Sequence, residues 1–146
     1  MKAEYSFAGG VRGKYSDRFS EGVSFELGKS SAAVQPELKR LHSPDVDLER
    51  YRPESESFGF LVQAMAGPTG IDSEESFSFM LCSPSWLAGH YANEIVLGAH
   101  HLIVPRYEYQ RVLDFVAKFV SSCGANTWTE VAQKLSRLGS WEFSGY

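Results

Sequence analysis

Cysteine is scarce in this chain: two in 146 residues, Cys82 and Cys123, and no Cys-x-x-Cys pair. No disulfide framework can be read from them, and two thiols inside apolar surroundings suit a reducing compartment. Histidine is scarce as well, limited to His42, His90, His100 and His101. His100 and His101 are adjacent, and neighbours on an extended chain point to opposite faces, so they do not chelate as a pair. We expect no metal site and no cofactor. The phosphate-binding glycine patterns are missing: the run Gly9-Gly10-Val11-Arg12-Gly13-Lys14 lacks the order of a dinucleotide loop, and Tyr15 stands where a Walker loop needs Ser or Thr. There is no Gly-x-Ser-x-Gly elbow for a nucleophilic serine. No stretch approaches the roughly 18 apolar residues of a membrane helix. The opening Met1-Lys-Ala-Glu-Tyr-Ser6 has no apolar core of a secretory signal. The expectation is a cytoplasmic protein with no membrane partner and no catalytic residues.

What is present is ample material for a core. Hydrophobic residues make up 43% of the chain and aromatics 14%, and a chain of this length fits one domain. Formal net charge is -4, unevenly spread. Residues 1–35 hold five basic and four acidic residues, whereas the rest holds nine basic and fourteen acidic. An acidic body argues against nucleic acid, whose phosphates call for Lys and Arg. It is compatible with a basic protein partner, since opposite potentials speed encounter.

Residues 1–35 differ in composition from the remainder. Five glycines and the run Ser30-Ser31-Ala32-Ala33 read as a Gly-rich N-terminal extension, partly disordered, with one strand over Val23–Leu27. From residue 36 the pattern sharpens into a second unit, 36–146. Strands are expected over Glu37–His42, Ser57–Met65 and Glu75–Cys82, the last with Phe77 and Phe79 alternating against Ser76 and Ser78. Gly67-Pro-Thr-Gly70 offers a turn that makes the second and third an antiparallel hairpin. Pro84-Ser-Trp-Leu87 suggests a short helix or turn, and His101–Val104 a fourth strand ended by Pro105.

Two helices follow. Tyr109, Val112, Leu113, Val116, Phe119 and Val120 share one face, with Gly124 as the stop. Trp128, Val131, Ala132, Leu135 and Leu138 share another, behind a capping box of Thr127 and Glu130. The fold class is therefore α+β: an antiparallel sheet of about four strands with the two C-terminal helices packed on one face.

Candidate chemistry is sparse. Glu74 and Glu75 are a carboxylate pair, but neighbours on a strand face opposite ways, so a solvated edge fits better than acid–base work. Cys82 lies in an apolar strand, where burial raises a thiol's pKa and makes it inert. Trp128 sits on the apolar face of its helix and belongs to the core. Trp86, in the short helix or turn at Pro84, and Trp141 fall outside the longer expected elements, and either packs a sheet end or anchors a partner, since exposed Trp favours binding hot spots.

The run from Phe58 to Pro68, then Glu74 to Leu87, then Leu102 to Tyr107, and the ending Gly124 to Phe143 resemble the Immunity protein 8 family, in family order over about residues 36–146. The family ending is similar to Trp-Glu-Phe-Glu-x-Tyr, whereas here Trp141-Glu142-Phe143 is followed by Ser144. The resemblance implies an antidote in a bacterial polymorphic toxin system, which binds the toxin domain encoded beside it and protects the producer. The expected partner is that cognate toxin domain. Candidate toxin-binding residues are Glu74, Glu75, Trp86, Trp141 and Glu142, an acidic and aromatic set.

Separately, Ser6–Tyr15 with Arg18–Gly22 resembles the opening of very small bacterial proteins associated with toxin–antitoxin loci. That supplies a second hypothesis, an antitoxin using its basic N-terminal arm. A third is a small ligand-binding domain, which needs a polar pocket with convergent titratable groups.

Overall fold

A computed structural model describes residues 33–144. The extension expected over 1–35, with its strand at Val23–Leu27, lies outside the described residues except for its last three. Of those, Val34 bridges to Ala125, donating its N–H at 2.8 Å and accepting at 3.1 Å. The Gln35 side chain donates to the Ser121 carbonyl at 2.7 Å.

The sheet is built from β1 (Pro36–His42), β2 (Gly59–Pro68), β3 (Glu75–Cys82), β4 (His101–Ile103) and β5 (Ser140–Trp141). Strands β1, β2 and β3 form an antiparallel meander. On the far side of β3 two short strands share one edge. β5 runs antiparallel against Phe77 and Ser78, and β4 runs parallel against Met80, Leu81 and Cys82. Among the described residues the sheet thus has five strands, in keeping with the α+β class and the antiparallel sheet of about four strands expected, with the short β4 its one parallel member. A parallel return needs a crossover of a dozen or more residues. Residues 83–100 provide it, through helix α1 (Pro84–His90) and the loop behind it.

Alternation decides the faces. Phe60, Val62, Ala64 and Ala66 of β2 pair with Leu81, Phe79, Phe77 and Glu75 of β3. All but Glu75 are buried. Helices α2 (Tyr109–Ser121) and α3 (Trp128–Leu135) close over them. Val112, Val116 and Val120 enter the core from α2, and Val131, Ala132 and Leu135 from α3. A bulge in β1 between Leu38 and Arg40 keeps both Leu38 and Leu41 on this side.

Three local devices fix the ends. Asp45 extends the edge that β1 abandons, its carboxylate accepting the Leu61 N–H at 3.0 Å. Ser83 is buried and caps α1, its hydroxyl accepting from Trp86 N at 3.2 Å and Phe58 N at 3.1 Å. At α3, Thr127 accepts from Glu130 N at 3.2 Å. The return bond of the expected capping box shifts by one residue, since the Glu130 carboxylate accepts from Asn126 N at 3.2 Å.

Candidate functional site

The opposite face of the sheet carries Arg40 and His42 from β1, Leu61, Gln63 and Met65 from β2, and Ser76, Ser78 and Met80 from β3. None of these is buried. The surface is amphipathic, and at one end α1 lies over it. There the Trp86 ring rests on Gly59, where an added Cβ would fall 2.3 Å from the ring. Trp86 stacks on His90 at 4.2 Å and meets Tyr91 edge-on at 6.1 Å. Glu74 stands at the other end. Its carboxylate accepts from Arg40 Nε at 3.0 Å and Nη2 at 2.8 Å. Trp86 therefore lies in the short helix expected from Pro84, and Trp141 in a two-residue strand, a correction to its placement outside regular elements.

The other three candidates gather elsewhere. Glu75 turns to the helical side, as the alternation requires. Its Oε1 accepts both indole N–H groups, Trp128 and Trp141, each at 2.8 Å. Trp141 lies parallel to Phe77, with ring centroids 6.5 Å apart. Glu142 brackets Ser76: its N–H donates to the Ser76 carbonyl at 3.1 Å, and its carboxylate accepts the Ser76 N–H at 2.5 Å. One carboxylate oxygen thus ties α3, β3 and β5 together, and a second carboxylate prolongs the β3 edge. Gly139 makes the approach of β5 feasible, because an added Cβ would lie 2.8 Å from the Ser78 carbonyl oxygen.

The five candidates therefore form two groups. Glu75, Trp141 and Glu142 cluster at the β3–β5 junction and use polar atoms on internal bonds. Glu74 and Trp86 share the open face but lie at opposite ends of β3, a separation of about 23 Å at strand rise.

His100 Nε2 donates to the Ser136 carbonyl, 2.8 Å away, whereas His101 Nε2 meets Tyr91 Oη at 2.8 Å. The two adjacent histidines are thus committed to different partners. Among the described residues no group of three or more His, Cys, Asp or Glu is placed to hold a metal. Cys82 is fully buried and burial pushes its thiol pKa up. A concavity of about 590 Å³ is lined by Glu56, Phe58, Arg106, Glu108 and Arg111 among others. No helix among the described residues is long and apolar enough to cross a membrane.

No element was expected over residues 88–100. In the structure, residues 92–99 are exposed throughout, including Ile95, Val96 and Leu97. An apolar triplet set between Asn93-Glu94 and Gly98 was the available signal. Without knowing that no strand partner receives it, that triplet reads as ordinary core.

The family model described as Immunity protein 8 matches residues 36–146. No curated protein and no solved structure matches the chain.

Proposed function

This chain belongs to the Immunity protein 8 family, and from that premise we propose that it binds a cognate polymorphic-toxin domain in the bacterial cytoplasm and neutralises it without catalysis. The family match across the whole of residues 36–146 carries the proposal. Two features support it. The matched region is acidic, with fourteen carboxylates against nine basic side chains, which favours rapid encounter with a cationic toxin. The sheet face opposite α2 and α3 offers a broad amphipathic surface with an acidic group, Glu74, at one end and a large aromatic, Trp86, at the other. We assign toxin contact to this face, and to the Glu75, Trp141 and Glu142 cluster a role in holding the C-terminal segment against β3.

The test is capture of the C-terminal domain of the large open reading frame adjacent to the gene, paired with co-expression survival. Tight binding together with rescue supports the proposal. A folded protein that neither binds nor rescues removes it. Glu74→Lys should slow association with the toxin domain about tenfold or less, without unfolding the protein, because a rim charge acts mainly on the on-rate.

A further inference from the structure

Soluble domains seldom expose large aliphatic side chains completely, and three in sequence at a loop tip call for a function. In the loop of residues 92–99, Ile95 is 103% and Leu97 100% exposed, with Val96 at 44%. The loop is nonetheless braced. The Tyr91 hydroxyl and His101 Nε2 close its neck at 2.8 Å, and His101 Nδ1 meets the Ala99 carbonyl at 2.8 Å. His100 Nε2 reaches the Ser136 carbonyl at 2.8 Å, tying the exit of the loop to the end of α3. Glu94 N donates to the Tyr91 carbonyl at 2.9 Å. Asn93, Gly98 and His100 all hold positive φ, at 69°, 73° and 59°. For the two non-glycine residues that geometry is unfavourable, and it persists where the surroundings impose it.

We propose that this loop is a preformed apolar anchor, in which Ile95 and Leu97 insert into a cleft of the toxin domain. The inference rests on the immunity reading and adds to it the residues that hold the complex together. The occupant follows from shape, area and charge. A convex tip needs a concave acceptor. Three aliphatic side chains fall well short of the roughly 800 Å² per partner that a stable interface buries, so the tip does not sustain a homodimer by itself. They suit the centre of a larger hetero-interface, where a few desolvated residues carry most of the affinity. Between residues 84 and 105 there is no Lys or Arg and one carboxylate, Glu94. The complementary cleft is therefore apolar, with a cationic group at its rim facing Glu94. A braced loop loses little conformational entropy on docking, which raises affinity at constant contact area.

The experiment uses the full chain and a catalytically inactive form of the toxin domain encoded beside it, with kinetics followed by biolayer interferometry. Ile95→Ser with Leu97→Ser should raise Kd about 100-fold, tenfold per anchor, almost all of it in koff. Ile71→Ser, at an exposed aliphatic in the β2–β3 turn, should leave Kd unchanged. Both variants should melt with the wild-type protein, because neither touches the core. Wild-type binding with an unaffected double variant would overturn the anchor and leave the immunity reading intact. Failure of the wild-type chain to bind would instead remove that reading. Equal losses in the double variant and Ile71→Ser would also overturn the anchor, as would a wild-type dimer in sedimentation that the double variant abolishes.

Discussion

Replacing Glu75 with alanine removes the one acceptor shared by Trp128 and Trp141. A hydrogen bond to an ionised acceptor contributes about 1.5–3 kcal/mol. The side chain is only half-buried, so solvent screening places each bond at the low end of that range. Two bonds together give a loss of about 3 kcal/mol. For a domain of this size that lowers Tm by about 12 °C. Glu75→Gln keeps an acceptor oxygen and loses only charge assistance, costing about 1 kcal/mol. The assay is urea and thermal denaturation of both variants, followed by indole fluorescence. Trp141→Phe should then cost less in the Glu75→Ala background than in wild type, because its partner is already gone. A solvated strand-edge carboxylate would behave differently, with Glu75→Ala within about 0.5 kcal/mol of wild type and the Trp141→Phe cost additive. That pattern, with weaker toxin binding, would refute the anchoring role and return Glu75 to the contact surface.

Other outcomes follow from the same geometry. Ser83→Ala should destabilise by about 2 kcal/mol, since it uncaps α1 and leaves the buried Phe58 N–H without its acceptor; chemical denaturation measures this. Gly59→Ala should displace Trp86 and cost about 1–3 kcal/mol by overpacking, with a shift in tryptophan emission as the readout. The Tyr107 phenol donates to the Leu48 carbonyl at 2.5 Å, and burial pushes its pKa up to about 12 from 10.0. The folded state then holds a proton that the unfolded chain releases. Stability is therefore intact below pH about 10 and falls as pH rises toward about 12, and Tyr107→Phe should flatten that decline in alkaline melts. The buried Cys82 thiol, with its raised pKa, should react with a disulfide reagent far more slowly in the native protein than in urea.

The elements most legible in the sequence were those with a strong local period. β3 spans Glu75–Cys82 as read, because Phe77 and Phe79 alternate with serines and Ser83-Pro84 ends the run. The helices at Tyr109 and Trp128 begin where spacing and the Thr127 cap place them. The second ends at Leu135, three residues before the last apolar position, with Leu138 buried from the turn beyond it. The opposed directions of Glu74 and Glu75 also followed from the strand period alone. Strand β2 was read short at its far end, because Gly67 and Pro68 looked like a turn. They still pair with Glu37 and Pro36, since Pro68 closes the edge where β1 begins.

Family and layer architecture were thus set by local pattern and by the order of the segments. What the sequence could not decide depends on long-range neighbours. Whether β4 runs parallel or antiparallel to β3 is a matter of how residues 83–100 cross over, and a three-residue strand has no period that encodes direction. That β5 exists depends on Gly139 lying against the β3 backbone. Glu75 reads as a solvated carboxylate until folding brings two indoles to it, and nothing local shows that Glu142 meets the Ser76 amide. Ile95-Val96-Leu97 looks like core until the tertiary structure leaves it without a partner, because hydrophobicity is a property of the residue whereas burial is a property of its surroundings.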